Sequence, residues 1–212
     1  MRNIEIEKYQ GIIFDFDGVI LDSVNVKTEA FAEIYKNYGE EVVAKVKQYH
    51  LLHGGVSRFE KFKYFHNVIL GIEIDENEIN NLAKQFNELV FEKVIASPFI
   101  FGAKEYIQKV FNSHALFICT GTPENEMLEI LTSLNLISYF KAVYGSPTKK
   151  KVILDNLMDR FKLNATSLVY FGDAMTDYEA ATAKNIDFIG VNNGNPSPFP
   201  IGTICIDNFN KI

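Results

Sequence analysis

The stretch GIIFDFDG, residues 11–18, places a short apolar run directly before two aspartates and a glycine. An unbroken apolar run is typical of a β-strand that is buried on both faces, as in a parallel sheet. Asp15 and Asp17 then lie at the carboxyl end of this strand. Ligands of open α/β sheets bind beyond the carboxyl ends of the strands. The stretch therefore predicts both a parallel sheet and a polar site at its edge.

The rest of the chain divides into a helical part and an alternating part. Between about residues 22 and 96, apolar residues recur at helical spacing and no strand pattern of comparable strength occurs. After Ser97-Pro98, helices alternate with apolar runs that predict further strands at 115–119, 141–144, 168–171, 188–191 and 203–206. One of these helices is predicted to begin at Thr122-Pro123, with proline at its first position.

This alternation predicts an α/β fold with a parallel sheet covered by helices on both faces. We expect a three-layer, Rossmann-like core domain formed by residues 1–21 and 97–212. A small all-helical cap domain, residues 22–96, would be inserted after the first strand. Polar residues at the ends of three predicted strands would then meet at one edge of the sheet.

The bulk composition is that of an ordinary globular protein. Of 212 residues, 47% are hydrophobic and 23% are charged, with a net charge of −6. This acidic balance disfavours nucleic-acid binding. The first ten residues are not typical of a signal peptide, and no segment has the length of a membrane span. We therefore expect a cytoplasmic protein without membrane contact, a monomer or weak dimer, in which Cys119 and Cys205 are buried reduced thiols.

Four aspartates follow two of the predicted strands. Asp15 and Asp17 follow the first, and Asp173 and Asp177 follow strand 168–171. Carboxylates ~4 Å apart repel by roughly 4 kcal/mol at an effective dielectric constant near 20, so such a group needs protons or a cation. Oxygen ligands without histidine or cysteine favour magnesium over zinc or copper. The alternative is structural, because aspartate is common in turns and helix caps.

Four segments together resemble the haloacid dehalogenase-like hydrolase superfamily, and within it the phosphatases and phosphomutases that carry a helical cap. The first is DFDGVI at 15–20, followed by Asp22-Ser23, and the second is Thr120-Gly121 after an apolar strand. The third is a lysine within GSPTKKK, 145–151, and the fourth is GDAMTD, 172–177. Three adjacent lysines leave the third segment ambiguous, and its spacing favours Lys150.

The resemblance implies a two-step phosphoryl transfer. Asp15 would attack phosphorus and become phosphorylated. Asp17 would protonate the leaving oxygen and then deprotonate the attacking water. Dehalogenases of this superfamily lack the second acid, so Asp17 disfavours dehalogenation.

The resemblance also implies the ligands of a magnesium ion and of the phosphoryl group. Magnesium would be bound by Asp15, the backbone carbonyl of Asp17, and Asp173, with Asp177 as a supporting ligand. Thr120 and Lys150 would hold the phosphoryl oxygens, a role that suits a reaction dominated by positioning and charge stabilisation.

The stretch HGGVSRFE, residues 53–60, is the most informative part of the helical insertion. Ser57 and Glu60 have the spacing of a capping box, which predicts a helix from Arg58. A similar Gly-Ser-Arg loop faces the active site in related capped enzymes. The resemblance thus implies that His53 and Arg58, together with Gly121 of the core, bind the substrate. The alternative is an exposed arginine beside an ordinary helix cap and a structural histidine.

The sequence favours a magnesium-dependent phosphatase that hydrolyses a small phosphorylated metabolite through an aspartyl-phosphate. A sugar phosphomutase of the same superfamily needs the same motifs and stays open. A receiver-type signalling domain also phosphorylates an aspartate, but the chain length, the helical insertion and Asp17 disfavour it. The identity of the metabolite is not determined by these motifs.

Overall fold

A six-stranded parallel sheet forms the centre of the fold in the computed structural model, which describes residues 5–212. The strands lie in the order β3-β2-β1-β4-β5-β6. Their bounds are β1 Gly11–Phe14, β2 Ala115–Pro123, β3 Ala142–Ser146, β4 Leu168–Gly172, β5 Asp187–Val191 and β6 Cys205–Ile206. The predicted α/β class with a parallel sheet is confirmed.

Strand β1 is buried on both faces, as its apolar sequence predicts. Ile12 and Phe14 belong to one hydrophobic cluster, whereas Ile13 belongs to a second cluster on the other face. Burying each of these side chains contributes about 1.5–3 kcal/mol. Phe14 pairs with Ile118 of β2 and with Phe171 of β4. The carboxyl ends of the three central strands are thereby aligned at one edge.

Within the described residues 5–212, eight α-helices surround or extend from the sheet. Their bounds are α1 Val24–Tyr35, α2 Glu40–Leu52, α3 Arg58–Tyr64, α4 Glu76–Ile95, α5 Ala103–Val110, α6 Glu124–Ser133, α7 Lys150–Phe161 and α8 Met175–Ala183. Short 3₁₀ helices cover Ile6–Lys8, Lys36–Tyr38, Ile137–Tyr139, Ala165–Ser167 and Phe209–Lys211, and a π-helical segment covers Phe65–Leu70.

Helices α1 to α4 form the helical insertion, residues 22–96, in which no strand occurs. They pack on one another through an aromatic core. Its centre is Phe31, whose ring lies 4.3 Å from the ring of Phe86 and 5.5 Å from that of Phe62, measured between centroids. All three side chains are buried. The three rings come from α1, α3 and α4, so the apolar faces of these helices pack on one another.

Two local predictions are wrong. Strand β2 continues through Pro123, and α6 begins at Glu124 rather than at Thr122-Pro123. Pro123 has extended backbone angles (φ −54°, ψ 137°) and pairs with Ser146 of β3, and this pairing keeps it in the sheet. Cys119 is a buried free thiol, but Cys205 is only partly buried, because β6 is short and lies at the edge of the sheet.

Candidate active site

Asp15 is buried directly after β1. Its backbone N–H donates to the carbonyl of Phe171 at 2.9 Å, which extends the pairing with β4 by one residue. Oδ1 accepts a hydrogen bond from the Phe16 N–H at 2.7 Å, and Oδ2 accepts one from Lys150 Nζ at 2.9 Å. The carboxylate is therefore oriented from two sides by donors.

Asp15, Asp173 and Asp177 form a compact carboxylate group. One oxygen from each lies within 4.8 Å of the others. The turn after β1 fits closely against it: Gly18 has φ +77°, and a Cβ there would come 2.1 Å from Asp173 Oδ2. Three carboxylates without a histidine or cysteine ligand are a hard donor set that suits Mg²⁺. The side chain of Asp17 is not part of this group.

Of the three adjacent lysines, Lys150 is the one that reaches this group. Its Nζ lies 2.9 Å from Asp15 Oδ2 and 2.5 Å from Asp177 Oδ1, and its side chain is 7% exposed. Lys149 and Lys151 are exposed, and Lys149 lies 3.8 Å from Glu60. Asp177 also accepts from Tyr170 Oη at 2.7 Å and from the Ala174 N–H at 3.2 Å, so it caps α8 as well.

Burial and mutual repulsion dominate the electrostatics of the group. Burial raises the pKa of Asp15 to about 7 in spite of the opposing charge of Lys150. Burial and the neighbouring charge of Asp15 raise the pKa of Asp173 well above its usual range. Burial acts to lower the pKa of Lys150, but the carboxylates of Asp15 and Asp177 outweigh it and raise that pKa. The single ammonium of Lys150 therefore does not offset the three carboxylates.

Asp17 has surroundings of a different kind. Its carboxylate pairs with Lys27, accepts from Ser23 Oγ at 2.6 Å and accepts from Thr122 Oγ1 at 3.2 Å. Burial alone acts to raise the pKa of Asp17, but Lys27 and these hydrogen bonds lower it. These interactions favour the ionised form of Asp17. They also hold its side chain outside the group formed by Asp15, Asp173 and Asp177.

A cavity of about 440 Å³ lies between the sheet edge and the helical insertion. Asp15, Asp17, Asp173, Thr120 and Gly121 line its core side. The Thr120 hydroxyl is buried and accepts from the Thr122 N–H at 3.2 Å. The residues that line the insertion side include Val24, Lys27, Phe31, His50, Gly54, Gly55, Val56, Arg58, Lys61 and Phe86.

The glycine loop before α3 packs directly on the core. A Cβ at Gly121 would come 2.5 Å from the Gly55 carbonyl oxygen. The Gly54 carbonyl accepts from Thr176 Oγ1 at 2.7 Å. The helix start predicted at Arg58 is confirmed, with Ser57 Oγ accepting from the Glu60 N–H at 3.4 Å.

Arg58 is buried on the cavity wall rather than exposed. Its two terminal nitrogens donate to Glu126 of α6 at 3.2 and 2.6 Å, and one of them also donates to the Ala83 carbonyl at 3.2 Å. The guanidinium also lies 4.7 Å from the centre of the Phe86 ring. Arg58 therefore joins the helical insertion to the core through a bidentate ion pair.

His53 lies outside the site. Its side chain is exposed, and its ring stacks on Tyr49 at 3.9 Å between centroids. Its Nδ1 lies 3.0 Å from the Tyr49 carbonyl. It is not among the described residues that line the cavity. These contacts place it at the end of α2 as a helix-terminal residue.

Loss of the Arg58–Glu126 pair should release the glycine loop. In Glu126→Gln the buried guanidinium keeps no charged partner, a change that typically costs about 3–5 kcal/mol. We expect the backbone amides of residues 53–64 to exchange with solvent at least about tenfold faster, measured by hydrogen exchange with mass spectrometry. The matched control is Glu129→Gln, an exposed glutamate on the same helix. Equal exchange in both variants would show that the pair does not hold the loop.

Among the site residues that were not predicted from the sequence are three polar side chains of the insertion: Lys27, His50 and Lys61. Lys27 lies on α1 and His50 on α2, whereas Lys61 lies on α3. In the sequence, each of them lies within or beside an apolar helical stripe. An ordinary solvent-facing residue occupies the same kind of position. Only the packing of three helices around one cavity reveals their common position. No feature of the sequence alone could have identified them.

Comparisons with known proteins agree on one family. Residues 12–191 match the family model described as haloacid dehalogenase-like hydrolase. The chain is 25% identical over 191 residues to a phosphorylated carbohydrates phosphatase of Thermotoga maritima, covering 85% of this chain and 83% of that one. It is also 25% identical over 191 residues to a fructose-1-phosphate phosphatase of Escherichia coli, covering 87% and 97%.

A solved structure shares the fold. The β-phosphoglucomutase of Clostridium difficile superposes with a TM-score of 0.77 at 18% identity, covering 94% of this chain and 91% of that one. In residues 5–212, no helix is both long and apolar enough to cross a membrane.

Proposed function

Since the chain belongs to the haloacid dehalogenase-like hydrolase family, we propose that it is a phosphatase that cleaves a small phosphorylated metabolite in two steps. The phosphoryl group passes first to Asp15 and then to water. The observation that carries this proposal is the position of Asp15. Its carboxylate lines the cavity, is held by the Phe16 N–H and Lys150, and lies against two further carboxylates.

In the first step, an Asp15 oxygen attacks phosphorus and the bond to the leaving oxygen breaks. An anionic carboxylate approaches an anionic phosphate only where positive charge offsets the repulsion. Lys150 supplies such a charge at 2.9 Å from the nucleophilic carboxylate. The Thr120 hydroxyl and the Gly121 backbone line the same cavity and are proposed to bind phosphoryl oxygens.

Asp17 is proposed to transfer the protons. Because its surroundings favour the carboxylate, Asp17 first takes up a proton from solvent. In the first step the leaving alkoxide takes this proton from the Asp17 carboxyl, and in the second step the Asp17 carboxylate takes a proton from the attacking water. Water then forms the new bond to phosphorus as the acyl-phosphate bond to Asp15 breaks. Lys27, Ser23 and Thr122 fix this side chain beside the nucleophile.

Asp15, Asp173 and Asp177, with the backbone carbonyl of Asp17, are the residues proposed to hold Mg²⁺. The ion would supply charge stabilisation for the phosphoryl group in transfer. The donor set fits the ion, since it consists of oxygen atoms and its three carboxylates repel one another. Lys150 contacts two of the three carboxylates and thereby orients them.

The helical insertion is proposed to act as the cap domain, residues 22–96, over a core domain of residues 1–21 and 97–212. It supplies the cavity wall that faces the leaving group, whereas the core supplies the phosphoryl site. Arg58 is proposed to shape this wall through its pair with Glu126. A closed wall excludes bulk water that would otherwise compete with Asp15 as the nucleophile in the first step.

A phosphate-release screen tests the proposed function. Purified protein with Mg²⁺ is assayed against an aryl phosphate and a panel of sugar phosphates, polyol phosphates and phosphorylated acids. We expect release from the aryl phosphate and kcat/KM at least about tenfold higher for a subset of the metabolites, because only these contact the cavity wall. The absence of release from every compound would contradict the proposal.

A further inference from the structure

Lys61 is a buried cation on the cavity wall. It is only 2% exposed, and its Nζ lies 2.7 Å from Nδ1 of His50. Two other cations line the same cavity, and each is paired with a carboxylate: Lys27 with Asp17 and Arg58 with Glu126. Within residues 5–212, no carboxylate lies within ion-pair distance of Lys61. The described part of the protein therefore gives this lysine no carboxylate partner.

A lysine with a purely structural role rarely has a buried amine that lacks a carboxylate partner. Its amine usually extends to solvent or meets a carboxylate, because a buried unpaired ammonium is costly. Burial and the nearby Lys27 lower the pKa of Lys61 to about 7. Burial and Lys61 lower the pKa of His50 to about 3, so the imidazole is neutral and its Nδ1 accepts from the lysine.

The surroundings of Lys61 would strengthen its attraction for an anion. Its Nζ lies 5.8 Å from the centre of the Phe31 ring, and Phe31 in turn packs on Phe86. Both rings line the cavity. A charge pair in such a weakly polar setting interacts far more strongly than it would in water. The cavity thus offers a phosphoryl site on the core and an unpaired amine on the insertion.

We propose that Lys61 binds a second acidic group of the substrate, a carboxylate or a second phosphoryl group carried by the leaving group, and that His50 positions the Lys61 amine for this contact. This inference rests on the proposed phosphatase function. Lys61 would be a specificity residue, because an aryl phosphate or a neutral sugar phosphate has no group that pairs with it.

Matched substrate pairs test the inference. One pair is 6-phosphogluconate and sorbitol 6-phosphate, which differ only in a carboxylate and a hydroxymethyl group. The other is fructose 1,6-bisphosphate and fructose 6-phosphate. For the wild type we expect kcat/KM at least about tenfold higher for the acidic member of one pair, as a hydrogen-bonded charge contact implies. The pair that discriminates identifies the acidic group as carboxylate or phosphoryl.

Lys61→Met removes the charge and keeps the length of the side chain. We expect the preference for the acidic member to disappear, with aryl-phosphate hydrolysis unchanged within about threefold. The control is Lys63→Met, an exposed lysine on the same helix, which should keep the preference. His50→Phe should raise KM for the acidic member while kcat changes little. A wild type without preference, or a preference that persists in Lys61→Met, would overturn the inference.

If Lys61→Met does not fold, product inhibition of the wild type tests the inference without a variant. Gluconate should inhibit wild-type aryl-phosphate hydrolysis at least about tenfold more strongly than sorbitol if the carboxylate is the bound group. If instead the bisphosphate pair discriminates, fructose 6-phosphate should inhibit more strongly than fructose. Equal inhibition within both pairs would overturn the inference. The proposed function fails separately, through the absence of aryl-phosphate hydrolysis.

Discussion

Asp15→Asn should lower kcat by at least about 10⁴-fold, equivalent to about 5 kcal/mol of lost transition-state stabilisation. The amide has nearly the shape of the carboxylate, but it is a poor nucleophile and cannot form the acyl-phosphate. The assay is phosphate release from the aryl phosphate and from the best metabolite of the screen. Both substrates should lose activity equally, because the nucleophile acts on the phosphoryl group that they share.

Folding of this variant should be preserved, which separates a catalytic role from a structural one. Asp15 is one of three carboxylates that repel one another, so removing its charge relieves repulsion. We expect an unfolding temperature equal to or above that of the wild type. The control is Asp159→Asn, an exposed aspartate of α7, which should keep full activity. A stable Asp15→Asn protein with near wild-type turnover would refute the nucleophile assignment.

Removal of the metal should have the second-largest effect. After treatment with a chelator we expect kcat/KM to fall at least about 10³-fold, because the carboxylate group would then repel the substrate phosphate. Added Mg²⁺ should restore activity. Full activity in the chelator would contradict the proposed magnesium site.

Binding of the metal has a readout that does not depend on turnover. A ligand at 100 times its Kd stabilises the folded protein by about 2.7 kcal/mol, which raises Tm by roughly 5–10 °C for a chain of this size. We expect Mg²⁺ to raise Tm of the wild type, and to do so much less in Asp173→Asn. The exposed Asp159→Asn variant is again the control. An equal rise in all three proteins would place the ion elsewhere.

The fold was predictable because the sequence patterns that indicate its strands and helices involve residues close together in the chain. The run Gly11–Phe14 is apolar throughout, and the structure shows it as a strand buried on both faces. The predicted start of α3 at Arg58 depends on the capping of Ser57, which is also a local interaction. The end of β2 was not predictable from local signals. Pro123 is typical of a helix start, but its pairing with Ser146 keeps it extended.

The core side of the site was predictable for a similar reason. Asp15 and Asp173 directly follow strands, and the alignment of parallel strands brings their ends together. The insertion side depends on tertiary packing. The contact of Arg58 with a substrate stays a prediction, and the pairing of its guanidinium with Glu126, a residue 68 positions away in the chain, could not be read from the sequence. Lys61 and His50 lie on two different helices, so helical periodicity in the sequence cannot predict their contact.

Locating a covalent phosphoryl group tests most directly whether the phosphoryl group passes through Asp15. Asp17→Asn removes the proposed base for the second step. It also removes the acid of the first step, but an aryl oxide leaves with little need of a proton, so the phosphorylated protein should accumulate with an aryl phosphate. The protein is mixed with the aryl phosphate, quenched in acid, digested and mapped by tandem mass spectrometry. We expect one phosphoryl group, on Asp15, that hydroxylamine releases as it releases an acyl-phosphate. A phosphoryl group on any other residue, or continued turnover by Asp17→Asn with no phosphorylated protein at any time, would contradict this expectation.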